Sequence, residues 1–125
     1  ILGAKELPAN ILPALTQGCL ALSTAKVNPE LIEIANKLSL AENEACFICE
    51  RAFLKALKGD CTTPIAGRCT IKGEQITLVV ELFARVSAET LKLSGTKNVA
   101  LGQALGAELA TEMLQQLPQN WQQKY

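Results

Sequence analysis

The sequence of 125 residues contains no histidine. Within the chain this excludes a cysteine hydrolase whose thiol is deprotonated by an imidazole, and it excludes a mixed Cys/His zinc site. Charge of one sign is missing too, because 12 Lys and Arg residues balance 12 Asp and Glu. The chain therefore carries no electrostatic footprint for nucleic acid or for an anionic membrane surface. No apolar run approaches the ~20 residues that span a bilayer. Five cysteines is an odd number, and their spacing has no regular framework. Both points argue against a disulfide-stapled secreted domain and for reduced thiols in a cytoplasmic protein. Methionine occurs once, at Met113, and the sequence begins with Ile1, so it reads as a piece of a longer protein.

What is present is an ordinary globular composition, 49% apolar, with clear changes of period. Residues 1–18 hold Gly3, Pro8, Pro13 and Gly18 around short apolar clusters, a pattern of turns and connections. Cys19-Leu20-Ala21-Leu22 reads as a short apolar strand. Asn28, Pro29 and Glu30 then start a helix with an N-cap acceptor, a proline in the first turn and an acid near the positive end of the dipole. Leu31, Ile34, Ala35 and Leu38 give it one apolar stripe. Ser39 and Glu42 have the spacing of a capping box. They introduce a second helix with Ala45, Ile48, Cys49, Ala52, Phe53 and Ala56 on its buried face, ending at Gly59.

From Ile65 the period becomes two, with Ile65, Cys69 and Ile71 on one face and Ala66, Arg68, Thr70 and Lys72 on the other. Lys72-Gly73-Glu74 is a tight turn. A longer strand follows, with Ile76, Leu78, Val80, Leu82 and Ala84 inward, and Leu91 and Leu93 mark a short third one. The last long helix is expected from about Asn98 to Leu117, where Leu101, Leu105, Leu109 and Met113 run beside Gly102, Gly106 and Ala110, small residues that suit close helix packing. Pro118 and the glutamine-rich end are expected to fray, with Trp121 and Tyr125 able to dock. The whole predicts an α+β unit over 41–117, a small three-stranded antiparallel sheet with helices packed on one face. Residues 1–36 fit it poorly.

Among the cysteines, Cys49 and Cys69 fall on apolar faces and Cys19 on an apolar strand, where a free thiol behaves as a small hydrophobe. Cys46 and Cys49 form a C-x-x-C pair, which with Cys61 and Cys69 offers four thiols for zinc. That pair lies inside a helix instead of on a knuckle turn. Cys61 differs from the rest because Gly59, Asp60, Thr62, Thr63 and Pro64 around it are loop formers. An exposed thiol is expected there. Activating it would need a cation, a base or a helix N-terminus, and locally it has Asp60 and a helix C-terminus, with Lys55, Lys58 and Arg68 as cations that folding could bring near. A non-catalytic α+β interaction module with an open sheet face, or a thiolate zinc domain, remain open readings of the same residues.

Glu50-Arg51-Ala52-Phe53-Leu54 followed by Leu57-Lys58-Gly59-Asp60-Cys61-Thr62-Thr63-Pro64-Ile65-Ala66 resembles the E-R-A-F-L…L-x-G-G-C-x-x-P-I-A signature of the hydroxymethylbilane synthase (porphobilinogen deaminase) family. The stretch from Leu12 through Gln17, Gly18 and Cys19 to Leu22 is similar to its P-A-x-G-Q-G-A-L-x-I segment, Gly73 and Ile76 to its G-x-I turn, and Gly106-Ala107-Glu108-Leu109-Ala110 to its terminal helix. The resemblance implies that Cys61 bears a dipyrromethane cofactor through a thioether, on which porphobilinogen units are joined head to tail to give hydroxymethylbilane. It implies a cytoplasmic, monomeric enzyme without nucleic-acid or membrane partners. It assigns residues 1–18 to the end of a second domain and its hinge, 19–40 to a return through the first domain and a linker, and 41–125 to the C-terminal cofactor-attachment domain. The catalytic carboxylate and most of the substrate-binding cations would lie in domains outside this chain, so no catalytic residue is assigned here and the piece alone is expected to be inactive. Two departures stand out: the family's G-G-C is Gly59-Asp60-Cys61, and Ser23-Thr24-Ala25-Lys26 replaces an arginine-bearing E-C-R.

Overall fold

Strict alternation of apolar residues from Ile76 to Leu82 sets the centre of the molecule, since a strand so patterned must place one whole face against other elements. The computed structural model describes Pro8, residues 11–85 and residues 87–125. Its elements are α1 (Pro29–Leu38), α2 (Ala41–Leu57), β1 (Ile65–Lys72), β2 (Gln75–Phe83), β3 (Thr90–Asn98), α3 (Gly102–Gln116) and the short α4 (Trp121–Lys124). The strands form an antiparallel sheet in the order β1-β2-β3. Ile71 faces Ile76 across the β1–β2 turn, and Val80 faces Leu93 in the next pair. This is the expected α+β architecture.

The inward face of β2 is sealed: Ile76, Leu78, Val80 and Leu82 are all 0% exposed. Cys49, Phe53 and Leu57 of α2 and Leu105, Leu109, Ala110 and Met113 of α3 complete that core. Burying a side chain of this size contributes about 1.5–3 kcal/mol. The helices lie side by side on the one face, α2 toward β1 and α3 toward β3. On the other face polar pairs dominate, with the Thr77 and Thr96 hydroxyls 2.8 Å apart and Lys92 3.7 Å from Glu81.

Close approach of α2 and α3 depends on Gly106. A Cβ there would drive into the Cys49 carbonyl oxygen and sit 2.9 Å from the Phe53 nitrogen, so a helix-weakening residue is kept where backbones touch.

Several expectations are corrected. Residues 19–22 form no strand; Leu20 is 96% exposed and Cys19 is exposed as well, since the described residues offer this segment no neighbouring strand edge. Asn28 does cap α1, its Oδ1 accepting the Leu31 N–H at 3.2 Å, yet α1 buries none of its residues. Ser39 makes no capping box, because its own N–H already closes α1 on the carbonyls of Ala35 and Asn36, and α2 starts from Leu40 without a side-chain cap. Its Ile48 is exposed. The left-handed residue that ends α2 is Lys58 (φ 58°), one before Gly59. β3 is nine residues long, the full length of its partner, and it runs through Asn98. That residue then caps a 3-10 turn, Val99–Leu101, which leaves Leu101 exposed and delays α3 to Gly102. The end of the chain docks: Trp121 and Tyr125 are buried.

Residues 1–7 and their expected turn at Gly3 lie outside the described residues. From Pro13 the chain lines the free edge of β1, with the Gly67 N–H donating to the Pro13 carbonyl at 2.8 Å and Ala14 bridging to Ala66. Leu15 joins the core.

Gly106→Ala is expected to destabilise the protein by at least about 1–3 kcal/mol, the cost of overpacking a site whose neighbours are backbone. Denaturant titration of the variant against the parent measures it.

Candidate functional site

Lys58 takes the left-handed conformation that turns the chain out of α2, its N–H and that of Gly59 closing on carbonyls of the last turn. The six residues from Gly59 to Pro64 then cross to β1 as a loop whose shape is set by Asp60. Asp60 Oδ1 accepts the Thr62 N–H at 2.8 Å and the hydroxyls of Thr62 and Thr63 at 2.7 and 3.3 Å. The Thr63 hydroxyl in turn accepts the Asp60 N–H at 3.0 Å. These bonds, the Thr62 hydroxyl's first, hold the Asp60 carboxyl below its usual value. The anion next to Cys61 is thus committed to bracing the loop. Pro64 is tied to the sheet, its carbonyl accepting the Phe83 N–H at 2.9 Å.

Arg85 fastens the loop from outside. Its Nε donates to the main-chain oxygen of Tyr125 at 2.6 Å and its NH2 to that of Thr62 at 2.9 Å, so the docked tail and the cysteine loop share one guanidinium.

Cys61 is exposed and borders a cleft of about 840 Å³. Arg51 and Lys55, four residues apart and therefore on one side of α2, line the same cleft, and Thr16 with Leu15 forms part of its wall. Folding thus brings three separate stretches of the sequence together around one thiol. Of the cations expected near Cys61, Lys55 is there, whereas Arg68 turns to the Ile11 carbonyl at 3.4 Å and neither it nor Lys58 lines the cleft. Arg51 takes their place. Its i,i+4 spacing to Lys55 off the apolar stripe is the signal that marks it in the sequence.

The wall containing Thr16 is held by Glu50. One carboxylate oxygen accepts the Thr16 N–H at 2.7 Å and the other the Cys69 N–H at 2.9 Å, joining the segment before α1, helix α2 and strand β1. Burial pushes the Glu50 carboxyl above its ordinary value, with these two bonds opposing the shift. Cys49 is buried, Cys46 and Cys69 partly so, and among the described residues no three Cys, Asp or Glu side chains are arranged to hold a metal ion. No helix among them is long and apolar enough to cross a membrane.

Comparison with known proteins agrees with the motif reading. The family described as "Porphobilinogen deaminase, C-terminal domain" matches residues 44–115. A porphobilinogen deaminase of Exiguobacterium sp. is 34% identical over 104 residues, 82% of this chain and 34% of the relative. Another, from Paracoccus denitrificans, is 31% identical over 116 residues, 93% of this chain and 37% of the relative. The chain thus spans about a third of the length of these curated relatives.

Two outcomes are expected of this geometry. Arg85→Ala should speed amide hydrogen exchange at residues 60–63 and 121–125 together, with exchange in β2 unchanged, because one side chain holds both segments. For Glu50 the sign follows from its raised folded value: the folded state binds the proton more tightly than the unfolded state, so this stabilisation is full below the ordinary value of 4.5 and is lost as pH rises through the raised one. In urea titrations across that window, wild type should lose stability relative to Glu50→Gln as pH rises.

Proposed function

The chain belongs to the porphobilinogen deaminase family, as its C-terminal domain, and on that premise we propose that Cys61 is the attachment point of a dipyrromethane group in hydroxymethylbilane synthase. The observation that carries this reading is an exposed thiol at the edge of a cleft that also presents Arg51 and Lys55. The residues fit the group. A dipyrromethane bears acetate and propionate carboxylates, and a guanidinium with an ammonium in the same cleft supplies donors and charge for them. Asp60, which would otherwise repel them, is turned into the loop's own hydrogen bonds.

When bound, the group supplies a pyrrole end to which porphobilinogen units add as each loses ammonia. The residues of this chain hold it. Cys61 anchors it through a carbon–sulfur bond that is stable at neutral pH, the loop braced by Asp60 and Arg85 fixes the direction in which it leaves the surface, and Arg51 with Lys55 orients its carboxylates. Nothing in this assignment asks Cys61 to turn over, which suits a thiol with no imidazole in the chain.

The deaminating transfer itself belongs to the whole enzyme of tetrapyrrole and haem synthesis, a cytoplasmic monomer in this reading, whose first two domains would bring the catalytic carboxylate. Residues 1–18 would be the end of the second domain and its hinge, and 19–40 a return through the first. The exposed apolar side chains of Leu20, Leu22, Val27, Leu31, Ile34 and Leu38 support that division, since patches of this kind mark surfaces meant for a partner. This chain alone would then be inactive.

Mass spectrometry of the intact protein is the test. A two-pyrrole adduct is expected on the peptide holding Cys61, with complete loss in Cys61→Ala. An active protein whose Cys61 is unmodified would overturn the assignment.

A further inference from the structure

Helix α1 presents a row of large apolar side chains that the described residues leave open. Leu31, Ile34 and Leu38 are 47, 53 and 65% exposed, whereas Ile32 and Ala35, off that row, are half-buried. None of the other helices or strands packs along α1. A helix of ten residues is marginal in water unless its apolar side is packed, so this row calls for a cover.

The spacing of the row and the charges beside it say which cover fits. Steps of three and then four residues are those of a coiled-coil seam, and Val27, four before Leu31 and 90% exposed, carries the row back past the helix start. Beside the seam, one heptad apart, stand Glu30 in the first turn and Lys37 in the last. A like helix laid antiparallel sets each acid against the other's base at both ends, and it brings opposite ends of the two helix dipoles together. A parallel copy would gather the two acidic ends and the two basic ends instead.

We propose that a second copy of this chain docks on this face, α1 against α1 and antiparallel about a two-fold axis. Leu31, Ile34 and Leu38 interleave with the same residues of the second copy, and each Glu30 pairs with the opposite Lys37. Lys37 already reaches Glu33 of its own helix at 2.7 Å, but both side chains are about 70% exposed. Such a pair contributes little and leaves the ammonium donors for a second carboxylate. One short helix from each copy makes a small interface, so the association depends on concentration. The Cys61 cleft stays clear of it, since no residue of 19–40 lines that cleft, and the dimer does not rest on the role given to Cys61. In a longer protein whose first domain received residues 19–40, that domain would take the place of the second copy.

Sedimentation equilibrium of the 125-residue chain is the test, with dithiothreitol present so that the exposed Cys19 and Cys61 form no disulfide dimer. From about 1 to several hundred micromolar, the mean mass is expected to rise from one chain toward two. Ile34→Glu should stay at one chain throughout and keep the parent's urea midpoint at the lowest concentration, because the side chain replaced is on the surface. Glu30→Lys and Lys37→Glu should each weaken the dimer roughly tenfold by setting like charges together. Mixed in equal amounts, the two variants should regain the parent's affinity, since each chain then meets opposite charges at both ends. Any effect of a reversal on its own helix is the same alone and in the mixture, so the mixture decides even where one variant's helix is weakened. One-chain mass over the whole range would overturn the proposal. So would a dimer that survives Ile34→Glu, or a mixture no tighter than either variant alone.

Discussion

One carboxylate ties the working part of this molecule together. Glu50 reaches from the middle of α2 to main-chain N–H groups on two sides, at Thr16 and at Cys69. It adds a third tie for the segment bearing Leu15 and Thr16, which otherwise meets the body through the edge of β1 and through Leu15 in the core. Because both oxygens are used, the charge stays in a half-buried place where an unpaired carboxylate would be costly. The helix that carries Arg51 and Lys55, the strand that follows the Cys61 loop and one wall of the cleft therefore keep a single relative placement.

The loop itself is built on a different principle. Its shape comes from short-range bonds around Asp60, and its placement from Arg85, whose partners come from distant parts of the sequence. Local bonds make it stiff; remote bonds aim it. The arm proposed at Cys61 would call on both, since a chain anchored at one atom has only that atom's surroundings to limit where its free end travels.

The fold was largely readable because its elements are patterned to a single period. The β2 alternation and the Leu105, Leu109, Met113 repeat translate directly into the buried faces. Errors fell where two elements compete for one residue. Ser39 has the spacing of a cap for α2 but is consumed in ending α1, and Asn98 ends β3 before it can start a helix. The strand expected at Cys19 failed because an apolar run becomes a strand only where another edge receives it. In the site, Cys61 and its loop were legible from turn-forming neighbours and a specific motif. Glu50 and Arg85 were not, since their partners lie 19 to 40 residues away and no local pattern encodes such distances.

The order α2-β1-β2-β3-α3 places elements that follow each other in sequence beside each other in space. Strand pairing then closes short connections only, which is the topology that folds quickly, because little chain entropy is lost before contacts repay it. The exceptions are far-separated: α2 packs along α3 with Gly106 on Cys49, Leu15 joins the core, and Glu50 and Arg85 reach distant main-chain groups. Within this unit α3 follows all three strands, so until it packs, the sheet has only the part of its apolar face next to α2 covered.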